Sequence, residues 1–214
     1  MKYKIDLHVH SKYSEDNNSD PEETILQAIE RGLHGIAFTE HYSYSSSEFA
    51  DAMKDKYKNS IKIFRGVEFS ADEGHCLVFG VDTDKLSMKG ASIFDIVRVV
   101  NEAGGVVIPS HPYRPGTSIG NLVRDVDGLT ALEGCNGVNL FDMNTRAIEA
   151  AKAMNLPYTG GSDAHEPWDV GSCFTRFAEE VTNENFIDLL KLGNYQGVDT
   201  RKISRLLINN LSKY

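Results

Sequence analysis

A repeated alternation of short β-strands and helices is the feature that most constrains the fold of this chain of 214 residues. Apolar alternation or short apolar runs predict seven strands. They are residues 5–10, 35–41, 61–69, 75–81, 106–110, 129–135 and 156–160. Helical spacing predicts helices near residues 47–58, 93–100 and 144–154. Strand, helix and strand in this order form a βαβ unit, so the sequence predicts a single α/β domain.

The first βαβ unit shows the pattern most clearly. Asp20 is a candidate N-cap, Pro21 suits the first helical position, and Glu23 lies three residues after Asp20, as in a capping box. The predicted helix ends near Gly32, before the second strand. Six or seven such repeats fit either a doubly wound sheet or a closed barrel.

Six of the seven histidines lie at or just after the carboxyl ends of predicted strands. They are His8, His10, His41, His75, His111 and His165. Three carboxylates accompany them, and these are Asp16, Glu68 and Asp163. The seventh histidine, His34, lies in a helix-to-strand turn, where we expect an ordinary surface role. Functional groups that converge from nearly every strand end favour the barrel over the doubly wound sheet.

A single His-x-His pair would be weak evidence for a site. His8 and His10 project from the same face of a strand, but each could simply hydrogen-bond to backbone or water. Six imidazoles with three carboxylates indicate more, because both are ligands of Zn, Mn and Fe. Nine ligands exceed the coordination of one ion, so we expect two or three divalent metal ions. Such multinuclear sites usually activate water for hydrolysis of phosphate esters or amides.

The short separation of Glu68 and His75 predicts a departure from a regular barrel. Both are expected at the same rim, yet a crossover helix does not fit between them. We therefore expect the turn at Asp72, Glu73 and Gly74 to reverse the chain directly and to distort the barrel.

Charge and composition limit the location and the partners. The formal net charge of −9 disfavours general nucleic-acid binding, and it repels phosphate esters unless bound cations reverse the local field. No apolar run approaches the roughly 18 residues of a membrane span, and no signal-peptide pattern is present, so we expect no membrane association and a cytoplasmic location. Cys76, Cys135 and Cys173 lack metal-site or disulfide spacing and are expected to be reduced core thiols. No feature indicates an obligate protein partner.

Five segments in order resemble the signatures of the PHP (polymerase and histidinol phosphatase) family of metal-dependent phosphoesterases. They are DLHVHSKYSED, GIAFTEH, GVEFS with GHCLVFG, SHPYR and TGGSDAH, and the resemblance runs from Asp6 to Gly171. It implies a distorted (β/α)7 barrel, similar to a TIM barrel, with a trinuclear metal site. We expect a hydrolase that cleaves a small phosphomonoester through a metal-bound hydroxide, since no long basic groove is apparent.

The resemblance assigns the nine residues, as metal ligands and catalytic residues, to three metal sites. The first site matches His8, His10, Glu68 and Asp163. The second matches His75 and His111, with Glu68 as the bridging carboxylate. The third matches His41, His165 and Asp16, for which Glu15 is the alternative ligand.

Arg114, three residues after His111, is the candidate substrate-binding residue, because guanidinium pairs bidentately with phosphate oxygens. The alternative is an ordinary surface arginine. Basic side chains in the tail, residues 200–213, could contact a nucleic-acid backbone, but the tail's apolar spacing favours an amphipathic helix packed on the barrel.

Other functions stay open at this point. Neither a G-x-S-x-G motif nor a glycine-rich phosphate loop is present. The alternatives to a small-molecule phosphatase are an exonuclease or nucleotide phosphatase acting on nucleic-acid ends, an amidohydrolase-like C–N hydrolase, and a non-catalytic regulatory module that metal ions stabilise.

Overall fold

A computed structural model describes residues 2–86 and 90–201, and these form nine strands and five helices. In chain order they are β1 (Tyr3–Val9), α1 (Pro21–Glu30), β2 (Gly35–Phe38), α2 (Phe49–Tyr57), β3 (Lys62–Ala71), β4 (Gly74–Phe79), α3 (Ile93–Glu102), β5 (Val106–Pro109), β6 (Leu132–Asn136), α4 (Phe141–Ala153), β7 (Tyr158–Gly161), β8 (Cys173–Phe177), α5 (Phe186–Leu192) and β9 (Tyr195–Asp199). No helix within the described ranges is long and apolar enough to cross a membrane.

Two sheets form a curled, barrel-like wall. The larger sheet has the strand order β5-β4-β3-β2-β1-β8-β9, and β6 pairs in parallel with β7 in a separate sheet. The sheets meet at the edge strand β5, where the Thr130 amide donates to the Val107 carbonyl, and at the inner strand β1, where the Asp163 amide donates to the His8 carbonyl. The predicted α/β barrel class is confirmed in a strongly distorted form.

The hairpin of β3 and β4 accounts for part of that distortion. These strands are antiparallel, and Ala71 pairs with Gly74 across a two-residue turn. Gly74 has a φ of 152°, and a Cβ at this position would lie 2.5 Å from the Ile119 amide nitrogen. The predicted direct reversal at Asp72, Glu73 and Gly74 is therefore confirmed, and only glycine fits its last position.

Local signals also place the first helix correctly. The Asp20 carboxylate accepts a hydrogen bond from the Glu22 amide at 2.9 Å, and Pro21 opens α1. Buried Ile25 and Ala28 on this helix pack in one apolar cluster with Val9 and Ile36 of the neighbouring strands. This packing holds α1 against the ends of β1 and β2.

The predictions miss the last antiparallel pair and shift two helix starts. No element is predicted between residues 166 and 199, where β8, α5 and β9 lie, and β8 pairs antiparallel with β1. The second helix begins at Phe49 after a short 3-10 turn, and α4 begins at Phe141. Of the predicted tail helix, Thr200 and Arg201 are helical, and residues 202–213 lie outside the described residues.

The three cysteines are buried, and no disulfide joins them. Burial raises the pKa values of the Cys76 and Cys173 thiols far above the ordinary range. These features fit the expectation of core thiols. His34 accepts a hydrogen bond from the Lys4 amide at the amino end of β1, away from the strand ends that carry the other histidines.

Candidate metal centre

His8 and His10 converge where β1 ends. The pairing of β1 with β2 is irregular between Asp6 and Val9, and His10 follows the last strand residue. Both imidazoles are buried, and their Nε2 atoms lie 3.0 Å apart. The two histidines therefore share one partner position, as predicted from their spacing.

Two carboxylates complete this first cluster. Glu68 Oε2 lies 3.4 Å from the Nε2 atoms of both His8 and His10. Asp163 Oδ1 lies at the same distance, 3.4 Å, from these two nitrogens. A tetrahedral zinc ion with ligands at about 2.0–2.1 Å requires ligand–ligand distances of about 3.3–3.4 Å. The four distances between the histidine nitrogens and the carboxylate oxygens match this value, and His8, His10 and Glu68 lie close enough together to hold one ion.

Hydrogen bonds on the far side of each ring fix the neutral tautomer of the two histidines. His8 Nδ1 lies 2.9 Å from Glu133 Oε1, and a carboxylate can only accept. His10 Nδ1 lies 3.1 Å from the Ser14 hydroxyl, which donates its own hydrogen to Glu40 at 2.5 Å. When each ring is neutral, Nδ1 therefore carries the hydrogen and the Nε2 lone pair faces the two carboxylate oxygens. Four acceptors without a donor between them suit a cation.

The second oxygen of Glu68 faces a second cluster. Glu68 Oε1 lies 2.9 Å from His111 Nε2 and 3.4 Å from His75 Nδ1, and it accepts a hydrogen bond from the Ser110 hydroxyl at 2.7 Å. Ligand atoms of Glu68, His75 and His111 lie close enough together to hold one ion. Glu68 therefore has the geometry of a bridging carboxylate.

A third cluster lies nearer the surface. Asp16 Oδ2 is 3.2 Å from His41 Nε2 and 3.1 Å from His165 Nε2, and the Asp16 side chain is 53% exposed. His10, His41 and His165 also converge closely enough to hold an ion. Glu15 borders the same cavity, but the contacts to both histidines belong to Asp16.

Seven of the nine predicted residues line one cavity of about 480 Å³, and the other two, His8 and His10, are buried against Glu68 and Asp163 of that lining. Whether they bind metal ions, and how many, stays a prediction. Among the described residues, the buried Nδ1 atoms of His41 and His111 have no hydrogen-bond partner. His41 Nδ1 lies 3.2 Å from Glu68 Oε2, so His41 faces both the bridging carboxylate and Asp16.

Mutual charge controls ionisation in the first cluster. Burial by itself lowers the pKa values of His8 and His10, but nearby carboxylates outweigh it, and the pKa of His10 rises to about 9. Burial by itself raises the pKa values of Glu68 and Asp163, but the histidines hold both well below the usual range. Without a metal ion, the cluster therefore retains protons that an ion must displace.

Backbone strain is concentrated at this centre. Within the described residues, four non-glycine residues have positive φ values, and three lie here: His111 at 32°, Asp163 at 54° and Tyr42, next to His41, at 66°. Such conformations cost about 1–3 kcal/mol each and persist where the surroundings hold them. Strand ends alone therefore do not position these ligands.

Three buried acids outside the ligand set support it, and sequence reasoning missed them. Asp6 accepts hydrogen bonds from the amides of His8, Ser162 and Gly171. Glu40 holds the Ser14 hydroxyl, and Glu133 holds His8. One signal was available, because each acid lies in a predicted buried strand, where a charged side chain needs a partner.

Arg114 lies at the cavity wall with its side chain 23% exposed. Its Nη2 donates to Asp163 Oδ2 at 2.6 Å and to Asn136 Oδ1 at 2.7 Å, while its Nε donates to Asn139 Oδ1 at 2.9 Å. Asp163 thus directs Oδ1 to the first cluster and Oδ2 to Arg114. Arg114 is thus held at the cavity wall, and its role in substrate binding stays a prediction.

Comparison with known proteins decides the family. The family model described as PHP domain matches residues 6–135, more than half of the chain. The chain belongs to the PHP domain family. A second model, described as PHP-associated, matches residues 142–195. The family resemblance of the five sequence motifs is thereby confirmed.

Two curated proteins illustrate the range of PHP relatives. An uncharacterised protein of Methanocaldococcus jannaschii is 25% identical over 150 residues, which is 65% of this chain and 81% of that protein. Histidinol-phosphatase of Lactococcus lactis is 31% identical over 81 residues, which is 32% of this chain and 30% of that enzyme. The match to histidinol-phosphatase therefore covers less than a third of each protein.

Solved structures show the same PHP fold at low sequence identity. PsfC from Pseudomonas syringae has a TM-score of 0.72 at 19% identity, covering 97% of this chain and 95% of that chain. A Bifidobacterium adolescentis protein named as a candidate metal-dependent phosphoesterase has a TM-score of 0.63 at 19% identity, covering 88% and 96%. At these identities the solved structures show the shared PHP fold.

Proposed function

We propose that the chain hydrolyses a small phosphomonoester at a trinuclear metal centre. The observation that carries the proposal is the placement of Glu68. Its two carboxylate oxygens face two separate histidine pairs, and a third cluster around Asp16 opens on the same cavity. We assign Asp16, rather than Glu15, to the third site.

The assignment of ligands follows the three clusters. The first ion would be held by His8, His10, Glu68 and Asp163. The second would be held by Glu68, His75 and His111. The third would be held by Asp16, His41 and His165. Divalent ions at these positions supply Lewis acidity for ester hydrolysis, and they offset the negative charge of both the protein and the phosphate.

The protein's own groups bind and orient the ester. Arg114 borders the cavity, and Nη1 has no acceptor among the described residues, so this nitrogen is available to a phosphate oxygen. Asp163 and the two asparagines hold the guanidinium in one orientation before substrate arrives. A planar cation with a fixed orientation favours phosphate over an uncharged amide group, which supports a phosphatase over a C–N hydrolase.

Charge and size support a small substrate over nucleic acid. The chain carries a net charge of −9, and Arg114 is the only arginine or lysine that borders the cavity in the described ranges. A nucleic-acid strand would need a basic groove that follows several phosphates. One of the relatives is named a histidinol-phosphatase, a hydrolase of one small phosphomonoester.

A phosphatase screen tests the proposal. Purified protein would be freed of metal with a chelator, reloaded separately with Mn, Fe or Zn, and assayed on sugar phosphates, amino-acid phosphates, nucleoside monophosphates and a single-stranded oligonucleotide. We expect turnover of at least one small ester, abolished by the chelator. Efficient cleavage of the oligonucleotide alone would refute the substrate class. No turnover by fully loaded protein would favour a regulatory module.

A further inference from the structure

The loop after β6 positions Arg114. Asn136, the last residue of β6, and residues 137–140 are together called the β6 loop below. The side-chain oxygens of Asn136 and Asn139 accept hydrogen bonds from Arg114 Nη2 at 2.7 Å and from Nε at 2.9 Å. Asn136 Nδ2 also donates to Asp163 Oδ2 at 3.1 Å. Any shift of the β6 loop would therefore move Arg114 and Asp163 together.

Arg201, just after β9, holds the same loop by its backbone. Its Nη2 donates to the carbonyl of Asn136 at 3.0 Å, and its Nη1 donates to the carbonyls of Asn139, at 3.0 Å, and Gly137. Asp199 accepts two further bonds from the guanidinium, at 3.0 Å and 2.8 Å. One guanidinium thus ties three carbonyls of the β6 loop to the end of β9.

Polar contacts, and not apolar burial, set the position of the β6 loop. Val138 and Leu140, its two large apolar residues, are 57% and 66% exposed. Asn144, at the start of α4, accepts from the Asn136 amide at 3.2 Å and donates to the Asn136 carbonyl at 3.0 Å. The Gly137 amide also donates to the Gly161 carbonyl at 3.0 Å. Arg201 makes three further contacts to loop carbonyls, so its loss would weaken the hold on the loop.

We propose that Arg201 is a positioning residue for the phosphate site, acting through the β6 loop on Arg114. The path is continuous: the Arg201 guanidinium binds the carbonyls of Asn136 and Asn139, and the side chains of these two residues bind Arg114. The C-terminal segment, which the PHP-associated model matches only as far as residue 195, thereby completes a site built mainly by the PHP domain. The inference rests on the proposed phosphate-binding role of Arg114.

A double-mutant cycle tests the path. Metal-loaded wild type, Arg201→Lys, Arg114→Ala and the double variant would be compared by calorimetric titration with inorganic phosphate and by steady-state kinetics. Lysine keeps the charge beside Asp199 but cannot reach three carbonyls with a planar fork. We expect Arg201→Lys to weaken phosphate binding and raise KM about tenfold, with little change in kcat or metal content, and to have no further effect once Arg114 is alanine. The control is Arg98→Lys, an exposed arginine on α3.

The outcomes separate the inference from the proposed function. If Arg114→Ala weakens phosphate binding and Arg201→Lys does not, the positioning role is wrong and the proposed function stands. If the losses of phosphate affinity in Arg201→Lys and Arg114→Ala add in the double variant, the positioning role is also refuted, since Arg201 would then act by another path. Unchanged phosphate affinity in Arg114→Ala would refute the phosphate-binding role itself. If Arg201→Lys does not fold, rescue of phosphate binding in Arg201→Ala by millimolar guanidinium ion makes the same test, and failure of rescue refutes the inference.

Discussion

Replacing Glu133 by glutamine should weaken metal binding at the first cluster, although Glu133 is not a proposed ligand. Glu133 is fully buried and accepts hydrogen bonds from three donors: His8 Nδ1 at 2.9 Å, the His111 amide at 2.7 Å and Asn136 Nδ2 at 2.9 Å. Its two oxygens therefore orient a ligand of the first cluster and the backbone of a ligand of the second.

The magnitude follows from the number of acceptors that glutamine lacks. A carboxamide has one oxygen, so in Glu133→Gln its NH₂ group must face at least one of the three donors. A hydrogen bond to a charged group contributes about 1.5–3 kcal/mol, and losing a carboxylate that orients a metal-bound histidine typically weakens metal affinity about 10–100-fold. We expect a loss in this range for the most tightly bound ion.

Competition between the protein and a metal-sensitive dye would measure this change, with elemental analysis to count bound ions. The matched control is Glu149→Gln, the same substitution at an exposed position on α4. Wild-type metal affinity in Glu133→Gln would refute the orienting role. An equal loss in the Glu149 variant would show that the effect is one of general charge.

Three further predictions concern the same centre. Asp163→Ala should lower both the metal content and the thermal stability relative to the wild type, because unpaired acidic ligands remain. Elemental analysis that finds at most one ion per wild-type chain would contradict the multinuclear assignment. In metal-free protein, the pKa of His10, raised from 6.5 to about 9, contributes stability that is complete below pH 6.5 and is lost as the pH rises through about 9. The melting temperature of metal-free protein should therefore fall as the pH rises from 6.5 to about 9, and that of metal-loaded protein should change less. Parallel curves of melting temperature against pH for the two forms would show that protons and metal do not compete. Gly161→Ala should destabilise the fold by about 1–3 kcal/mol in chemical unfolding, because its Cβ would lie 2.3 Å from the Cβ of His8; wild-type stability would show that β1 and β7 can separate locally.

Local sequence signals predicted much of the fold. The N-cap at Asp20, the seven segments of strand character and the short spacing from Glu68 to His75 each report on structure within a few residues. Consequently the first helix, the inner strands and the β3–β4 hairpin were found. The strand β9 was missed because its sequence has no clear apolar alternation, and it carries Gly197, where a Cβ would lie 2.3 Å from the Thr159 carbonyl oxygen.

The residue types of the candidate centre were also readable from the sequence. Histidines at successive strand ends must converge once the strands are parallel neighbours, so the set could be predicted without distances. Their role as metal ligands stays a prediction. Tertiary structure alone decided which atoms face each other, since the tautomers of His8 and His10 depend on Glu133 and Glu40, which are 125 and 30 positions away in the chain.

The sequence by itself determined the inventory and the order of the elements, because hydrophobic period, caps and turns act over a few residues. Only the folded chain determined the support of the centre. From the sequence, Arg201 is one of several basic residues of the tail, yet in the structure it binds the carbonyls of a loop that begins 65 positions earlier. Likewise, the positive φ values of His111 and Asp163 follow from contacts made by distant strands. Such contacts produce no periodic pattern in the sequence, because each one joins two single residues whose sequence neighbours make different contacts.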